Sequence, residues 1–260
     1  MRLTVLGSGA SFPGSGHACS GYLLEADGTR VMLECGNGSV ANAAGVTDVT
    51  TLDGVVVSHM HADHFADLYA LQAALRYAPQ GPVGSVPLHL PAGLFDMIGC
   101  LLTERGRTEL GEAYRPHVLR DGVPVTIGPM TLVPRAVEHD GPTFAFSVEA
   151  GGARLGYTAD ARYGEALRGA VAGCDVLLCE CTLPTAYAGR APHITPGDAG
   201  RLATESGARL LVLTHLWPTA DHDRMLREAG DAFGGETVLA EELLTIDMSL
   251  PGGANERSDR

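Results

Sequence analysis

Short apolar runs broken by glycine alternate with stretches of helical spacing along the whole chain, and their order predicts a layered α/β protein. Residues 2–6 form an apolar strand, followed by a loop rich in Gly, Ser and Pro over 7–16. Residues 21–25 and 29–34 flank Asp27-Gly28, a strong hairpin signal. Gly36 and Gly38 interrupt the pattern before a short Ala-rich helix near 40–44. Residues 52–58 are β-branched and apolar, as expected of a buried strand, and they lead directly to His59. A helix is predicted over 63–77, a strand over 86–90 and a helix over 92–104.

A second set of strands occupies 123–137, 143–149 and 153–158, with Gly151-Gly152 as a turn. Then come a helix near 163–171, a strand at 176–181, a helix at 196–206 and a strand at 209–214. A helix near 221–229 and one strand over 237–247 complete the pattern. Thr195-Pro196-Gly197-Asp198 supplies a cap, a proline in the first turn and an early acidic residue, all helix-start signals. Strands followed by helices, twice over, predict a four-layer αβ/βα sandwich. No internal linker or short repeat is visible, so residues 1–249 are expected to form one domain, with 250–260 a disordered polar tail.

Composition narrows the function. The net charge of -13, from 31 acidic against 18 basic residues, disfavours a broad grip on nucleic acid, which relies on clustered Lys and Arg. A locally positive site remains open, because a bound dication would dominate the charge around it. No apolar run reaches the roughly 18 residues of a membrane span, and the N-terminus meets Gly and Ser too soon for a signal peptide. Six scattered cysteines in a chain this long need not be disulfide staples, so a reduced cytoplasm is expected.

Ser58-His59-Met60-His61-Ala62-Asp63-His64 carries the strongest chemical signal. Just after a strand, extended backbone lets His59 and His61 point the same way. A helix beginning at Asp63 would turn Asp63 and His64 toward a second point nearby. Imidazole and carboxylate suit zinc and related first-row ions. A surface histidine cluster or tag is the bland alternative, but the segment is interior and follows an apolar strand. Further His and Asp residues sit at predicted strand ends: His139, Asp160 and His215. Singly, each is more often a turn residue or a satisfied core group.

These residues together resemble the metallo-β-lactamase superfamily, and within it the ribonuclease Z-like branch. The resemblance runs from about Leu3 to Ile246 and includes Leu6-Gly7-Ser8-Gly9-Ala10, Glu34-Cys35-Gly36-Asn37-Gly38, the histidine motif, Tyr157-Thr158-Ala159-Asp160 and Thr214-His215. It implies that His59, His61 and His139 hold one metal, that Asp63, His64 and His215 hold another, and that Asp160 bridges them. A water or hydroxide between two dications would then be the nucleophile, with Asp63 orienting it and accepting its proton. Zinc is the default, with manganese or iron compatible with two carboxylates. The resemblance also places Glu180 and His193 outside the metal shell, where they would protonate a leaving oxygen. Cys179 and Cys181 read as packing residues. His17 is a candidate substrate contact, His222 a solvated helix start, and Trp217 either pocket lining or packing. His89 and His117 suggest no chemistry.

Two departures bear on substrate. The branch usually has Asp-Cys-Gly-Glu-Gly at 34–38 and Gly-Asp-Thr at 159–161, where this chain has Glu34-Cys35-Gly36-Asn37-Gly38 and Ala159-Asp160-Ala161. The tRNA-processing members also carry a protruding arm between the segments matching His139 and Asp160, and here strands and a turn nearly consume that interval. tRNA 3′-processing is therefore disfavoured. The expected activity is hydrolysis of a small or cyclic phosphodiester. Cleavage of a carboxylic ester, lactone or thioester, for which Tyr157 or Tyr187 could assist, is the alternative enzyme reading. A non-catalytic metal-binding module ranks below both, since every proposed ligand is present. The expected partner is a small-molecule substrate, and the resemblance allows a homodimer.

Overall fold

A computed structural model of the chain describes residues 1–79 and 81–248, and the backbone of 255–257. The first half contains β1 (Arg2–Gly7), β2 (Gly21–Ala26), β3 (Thr29–Cys35), α1 (Ser39–Val46), β4 (Gly54–Val56), α2 (Ala62–Phe65), α3 (Leu68–Tyr77), β5 (Val86–Leu90), α4 (Leu94–Cys100), α5 (Glu104–Ala113) and β6 (Tyr114–Val118). The second contains β7 (Val125–Ile127), β8 (Met130–Val137), β9 (Thr143–Ala150), β10 (Ala153–Tyr157), α6 (Glu165–Val171), β11 (Val176–Glu180), α7 (Pro196–Ser206), β12 (Leu210–Thr214), α8 (His222–Phe233) and β13 (Glu236–Leu239). The chain ends with β14 (Leu244–Asp247) and β15 (Asn255–Arg257).

Two mixed sheets result, ordered β15-β14-β1-β2-β3-β4-β5-β6 and β13-β12-β11-β10-β9-β8-β7. Alternation of side chains explains the layers. On β2, Tyr22 and Leu24 point into a core shared with Phe146, Val148 and Leu155 of the other sheet. Leu23, between them, joins Leu68 and Leu71 of α3 on the outer face. Leu211 and Leu213 of β12 likewise face Leu202 of α7 and Met225 of α8. Central strands covered on both faces read as continuous apolar runs, and the sheets with outer helices form the expected αβ/βα sandwich.

The hairpin signal is met at Asp27 and Gly28, both at positive φ (46° and 81°), the backbone of a tight primed turn. Elsewhere the elements are shorter than the periodicity suggests. The expected helix 63–77 breaks between α2 and α3, because the Asp67 amide donates to the Cys35 carbonyl at 3.0 Å instead of extending α2. Its carboxylate accepts the Val40 amide at 3.0 Å and so caps α1 from outside. The expected helix 92–104 ends at Cys100, and Thr103 then caps α5, whose Gly106 amide donates to its hydroxyl at 3.1 Å. The predicted strand 237–247 is two strands in different sheets, β13 beside β12 and β14 beside β1. The turn between them passes Leu243 at φ 65°. Of the tail expected to be disordered, only Asn255–Arg257 lies within the described residues, and its backbone pairs with β14. Among the described residues no helix is long and apolar enough to cross a membrane.

Strands β3 to β6 run parallel in one sheet and β10 to β13 in the other. Parallel strands bring their C-terminal ends to one edge, where the following loops can build a site. Gly36, just past β3, fixes how closely that edge packs. A Cβ there would stand 2.0 Å from the Asp63 carbonyl oxygen and 2.8 Å from that of Ser20, both rigid backbone. Gly36→Ala is expected to cost about 1–3 kcal/mol or more and to displace the histidine loop. A thermal melt beside metal quantification checks this, and unchanged values of both would refute it.

Candidate metal centre

The loop after β4 is anchored before it reaches its first histidine. The Ser58 amide donates to Glu34 Oε2 at 3.0 Å, and Ser58 Oγ lies 2.8 Å from His59 Nδ1. His59 is fully buried and its Nε2, 3.6 Å from Asp160 Oδ2, has no hydrogen-bond partner. His61 remains partly exposed, with Nδ1 3.3 Å from His139 Nε2. On α2, Asp63 accepts the Ser11 amide at 2.7 Å and lies 3.2 Å from His215 Nε2. His64 is buried between carboxylates, Nδ1 3.4 Å from Glu34 Oε1 and Nε2 3.4 Å from Asp160 Oδ1.

The structure therefore gathers all seven residues singled out as ligands. The ligand atoms of His59, His61, His139 and Asp160 lie within 4.8 Å of one another, and so do those of Asp63, His64 and His215. Asp160 reaches both groups, its Oδ2 lying 3.8 Å from His139 Nε2 and 3.3 Å from His215 Nε2. Ala159 and His215 hold positive φ (50° and 51°), as does Glu34 (61°). Such backbone is costly for non-glycine residues and tends to persist where a site requires it.

The donor set fits divalent metal ions. Buried polar atoms normally find partners, yet His59 Nε2, His64 Nδ1 and Asp160 Oδ1 are buried without one. His215 sharpens the point. Thr182 Oγ1 is 2.7 Å from Glu180 Oε2 and 2.7 Å from His215 Nδ1. The carboxylate can only accept, so the hydroxyl donates to it and accepts from Nδ1–H. His215 Nε2 on the other side of the ring faces Asp63 Oδ2 at 3.2 Å and Asp160 Oδ2 at 3.3 Å, where the two groups meet.

The charge balance points the same way. Burial, reinforced by His64, holds His59 well below the usual histidine range. Burial also lowers His139, with Asp160 opposing. Burial works against charge on His64, but Asp160 and Glu34 outweigh it and push it well above that range. Asp160 and Asp63 are held below the ordinary carboxylate range, burial being outweighed by His215 and His64.

Beside this cluster, His193 Nδ1 lies 3.0 Å from Glu180 Oε1. Glu180 is fully buried at the end of β11 and is fixed by the amides of Ala161 and Thr182, at 2.8 and 3.2 Å. The His193 ring sits 4.9 Å from that of His139 and 5.8 Å from that of His215. Burial would lower His193, but the Glu180 hydrogen bond and charge raise it to about 9.

The other candidates fall elsewhere. Tyr157 is buried, its hydroxyl donating to Glu34 at 3.1 Å, and so is turned from any substrate. His17 bonds to Glu242 at 2.8 Å, and His222 Nε2 to the Trp217 carbonyl at 2.8 Å. His89 and His117 stack across β5 and β6. Cys179 and Cys181 pack in the outer core of the second sheet. Sequence reasoning missed Ser11, Ser58 and Thr182 as supports, and saw Glu34 only as a variant of a motif. A polar residue closing an apolar strand was the available signal for Glu34.

The β-lactamase superfamily domain matches residues 29–216. The chain belongs to the metallo-β-lactamase superfamily. It is 32% identical over 243 residues to the probable metallo-hydrolase YhfI of Bacillus subtilis, covering 93% of this chain and 97% of that protein. The crystal structure of YhfI superposes with a TM-score of 0.85 at 28% identity, over 94% of this chain and 98% of that one. A ribonuclease Z of Salinispora arenicola is 26% identical, covering 95% of this chain and 96% of the relative. That alignment runs over 305 positions against a chain of 260 residues, so the relative carries segments absent here. The short form of human tRNase Z shares the fold, with a TM-score of 0.73 at 23% identity, covering 95% of this chain and 99% of that one. Membership in this superfamily makes the chain a metallo-hydrolase with His/Asp clusters suited to divalent metals.

Proposed function

We propose that this metallo-hydrolase is a two-metal phosphodiesterase acting on a small phosphodiester, such as a nucleoside cyclic phosphate. His59, His61 and His139 would hold one cation, Asp63, His64 and His215 the other, with Asp160 shared. Zinc suits this imidazole-rich set best, and manganese or iron is compatible with its two carboxylates. Two such cations, when bound, would lower the pKa of the attacking water and offset charge growing on the phosphoryl oxygens.

The Glu180–His193 pair, 3.0 Å apart beside the ligand cluster, carries the reading. In diester hydrolysis the water oxygen forms the new P–O bond and its proton passes to Asp63. The old P–O bond breaks, and the departing oxygen takes a proton from His193. An alkoxide leaving group needs that proton, and a histidine kept protonated by a buried carboxylate is suited to give it. The ribonuclease Z relative lends support as a phosphodiester hydrolase of the same superfamily. The 139–160 interval holds β9, a two-glycine turn and β10 with no room for an arm. With the net charge of -13, this favours a small substrate over tRNA.

The test is turnover of bis(p-nitrophenyl) phosphate beside lactone and thioester panels, using metal-quantified protein. Cleavage of the diester in preference to the acyl substrates is the expected result. Turnover confined to acyl substrates would replace this reading with an acyl hydrolase on the same centre, and full metal with no turnover of any ester would favour a binding module.

A further inference from the structure

Aromatic side chains are sparse in this protein, and most are buried or half-buried. Among the described residues only Phe12, Tyr77 and Tyr187 are aromatic and exposed. Tyr77 is accounted for on α3, where its hydroxyl bonds to Glu109. The other two lie on loops that carry groups of the metal centre. Phe12, 47% exposed, follows Ser11, whose amide holds Asp63. Tyr187, 43% exposed, begins the segment that ends at His193.

Tyr187 is also part of a built patch. Its ring meets that of Trp217 edge to face, with centroids 6.2 Å apart. Trp217 is two residues past His215 and so within about 7 Å of it along the backbone. The Arg190 guanidinium lies 4.9 Å from the centre of the Tyr187 ring. Both loops are held in place. The Tyr187 amide donates to Pro184 and the Arg190 amide to Tyr187, while Thr185 donates to Glu228 of α8. The Trp217 carbonyl accepts from His222 and from the Ala220 amide. Rigid aromatic and guanidinium faces exposed to water contribute nothing to the core, but they offer planar surfaces to a flat ring.

We propose that Tyr187, Arg190 and Trp217 form a stacking subsite for the nucleobase of a nucleoside phosphodiester, which fixes the substrate class of the centre described above. Bases stack on Trp and Tyr rings and on Arg planes with little sequence preference. In a chain of net charge -13, Arg190 also supplies positive charge near an anionic substrate. The inference rests on the phosphodiesterase reading for turnover but not for binding.

Trp217 is the only tryptophan, so fluorescence excited beyond the tyrosine absorption band reports this position alone. A purine nucleoside 5′-monophosphate is expected to quench it, in metal-loaded and chelated protein alike, while ribose 5-phosphate does not. Tyr187→Ala should raise the half-quenching concentration at least about fivefold. For the loaded enzyme the substrates are a purine nucleoside 3′,5′-cyclic phosphate and the matching 1-O-methylribose cyclic phosphate, which lacks a base. In Tyr187→Ala the ratio of kcat/KM between them is expected to fall about five- to tenfold, mainly through KM. Equal quenching by both phosphates, or by neither, overturns the subsite, as does an unchanged substrate ratio. Selective quenching without turnover of any diester would sustain the subsite and remove the phosphodiesterase reading instead.

Discussion

Asp160→Asn is expected to leave the fold standing while metal content falls below two ions per chain and hydrolysis is lost. Asp160 is 1% exposed and its two oxygens lie 3.3–3.8 Å from nitrogens of four histidines, His59, His64, His139 and His215. No other carboxylate in the cluster reaches both ligand groups so directly. Asparagine keeps the volume but removes the negative charge that offsets two cations, and it turns one oxygen into an amide donor aimed at lone pairs. Changes behind a ligand typically weaken metal binding by about 10–100-fold, so loss of a shared ligand should exceed that range. Metal analysis after dialysis, beside a melting curve and an ester assay, reads all three quantities. Two tightly held metals with unchanged turnover would show that Asp160 is not shared between them.

How much of this centre could be read in advance depended on how local each part was. Ser58 to His64 announced itself, because candidate ligands from both groups are crowded into one loop behind an apolar strand. His139, Asp160 and His215 came from resemblance, since pairing of distant strands brings them in and no local pattern encodes that. The supports were least legible. Thr182 matters only because β11 and β12 lie side by side and place its hydroxyl between Glu180 and His215. Glu34 matters only because it reaches under the next strand to Ser58 and His64. The fold shows the same division. Helix α7 begins at Pro196 after a Thr195 cap, as its local signals required, the Asp198 amide donating to Thr195 Oγ1 at 3.3 Å. The break between α2 and α3 was invisible, because the Cys35 carbonyl and the Val40 amide that compete for Asp67 lie about 30 residues away in the chain. Helix α5 was missed for another reason: with Gly106 and Gly111 and only Leu110 and Ala113 buried, it shows almost no apolar stripe.

His193→Ala should separate the chemistry from the metals. His193 is bonded to Glu180 and stands beside His139 and His215, but neither proposed ligand set needs it. Its removal is expected to lower kcat on an alkyl phosphodiester by about 10²–10⁴, the range for a lost general acid, with both metals retained. An aryl diester, whose phenolate departs without help, should lose much less. The pH profile supplies a second, independent reading. A pKa raised to about 9 means that His193 keeps its proton below that value and loses it above, so activity requiring the proton should fall as pH rises through about 9. Glu180→Gln removes the charge that holds the proton, and the alkaline limb should then move down toward the ordinary value of 6.5. Full activity in His193→Ala on the alkyl diester, or an alkaline limb unmoved in Glu180→Gln, would mean that the leaving oxygen takes its proton from elsewhere. A uniform loss on alkyl and aryl substrates would instead assign His193 to positioning the loop between Tyr187 and Ile194.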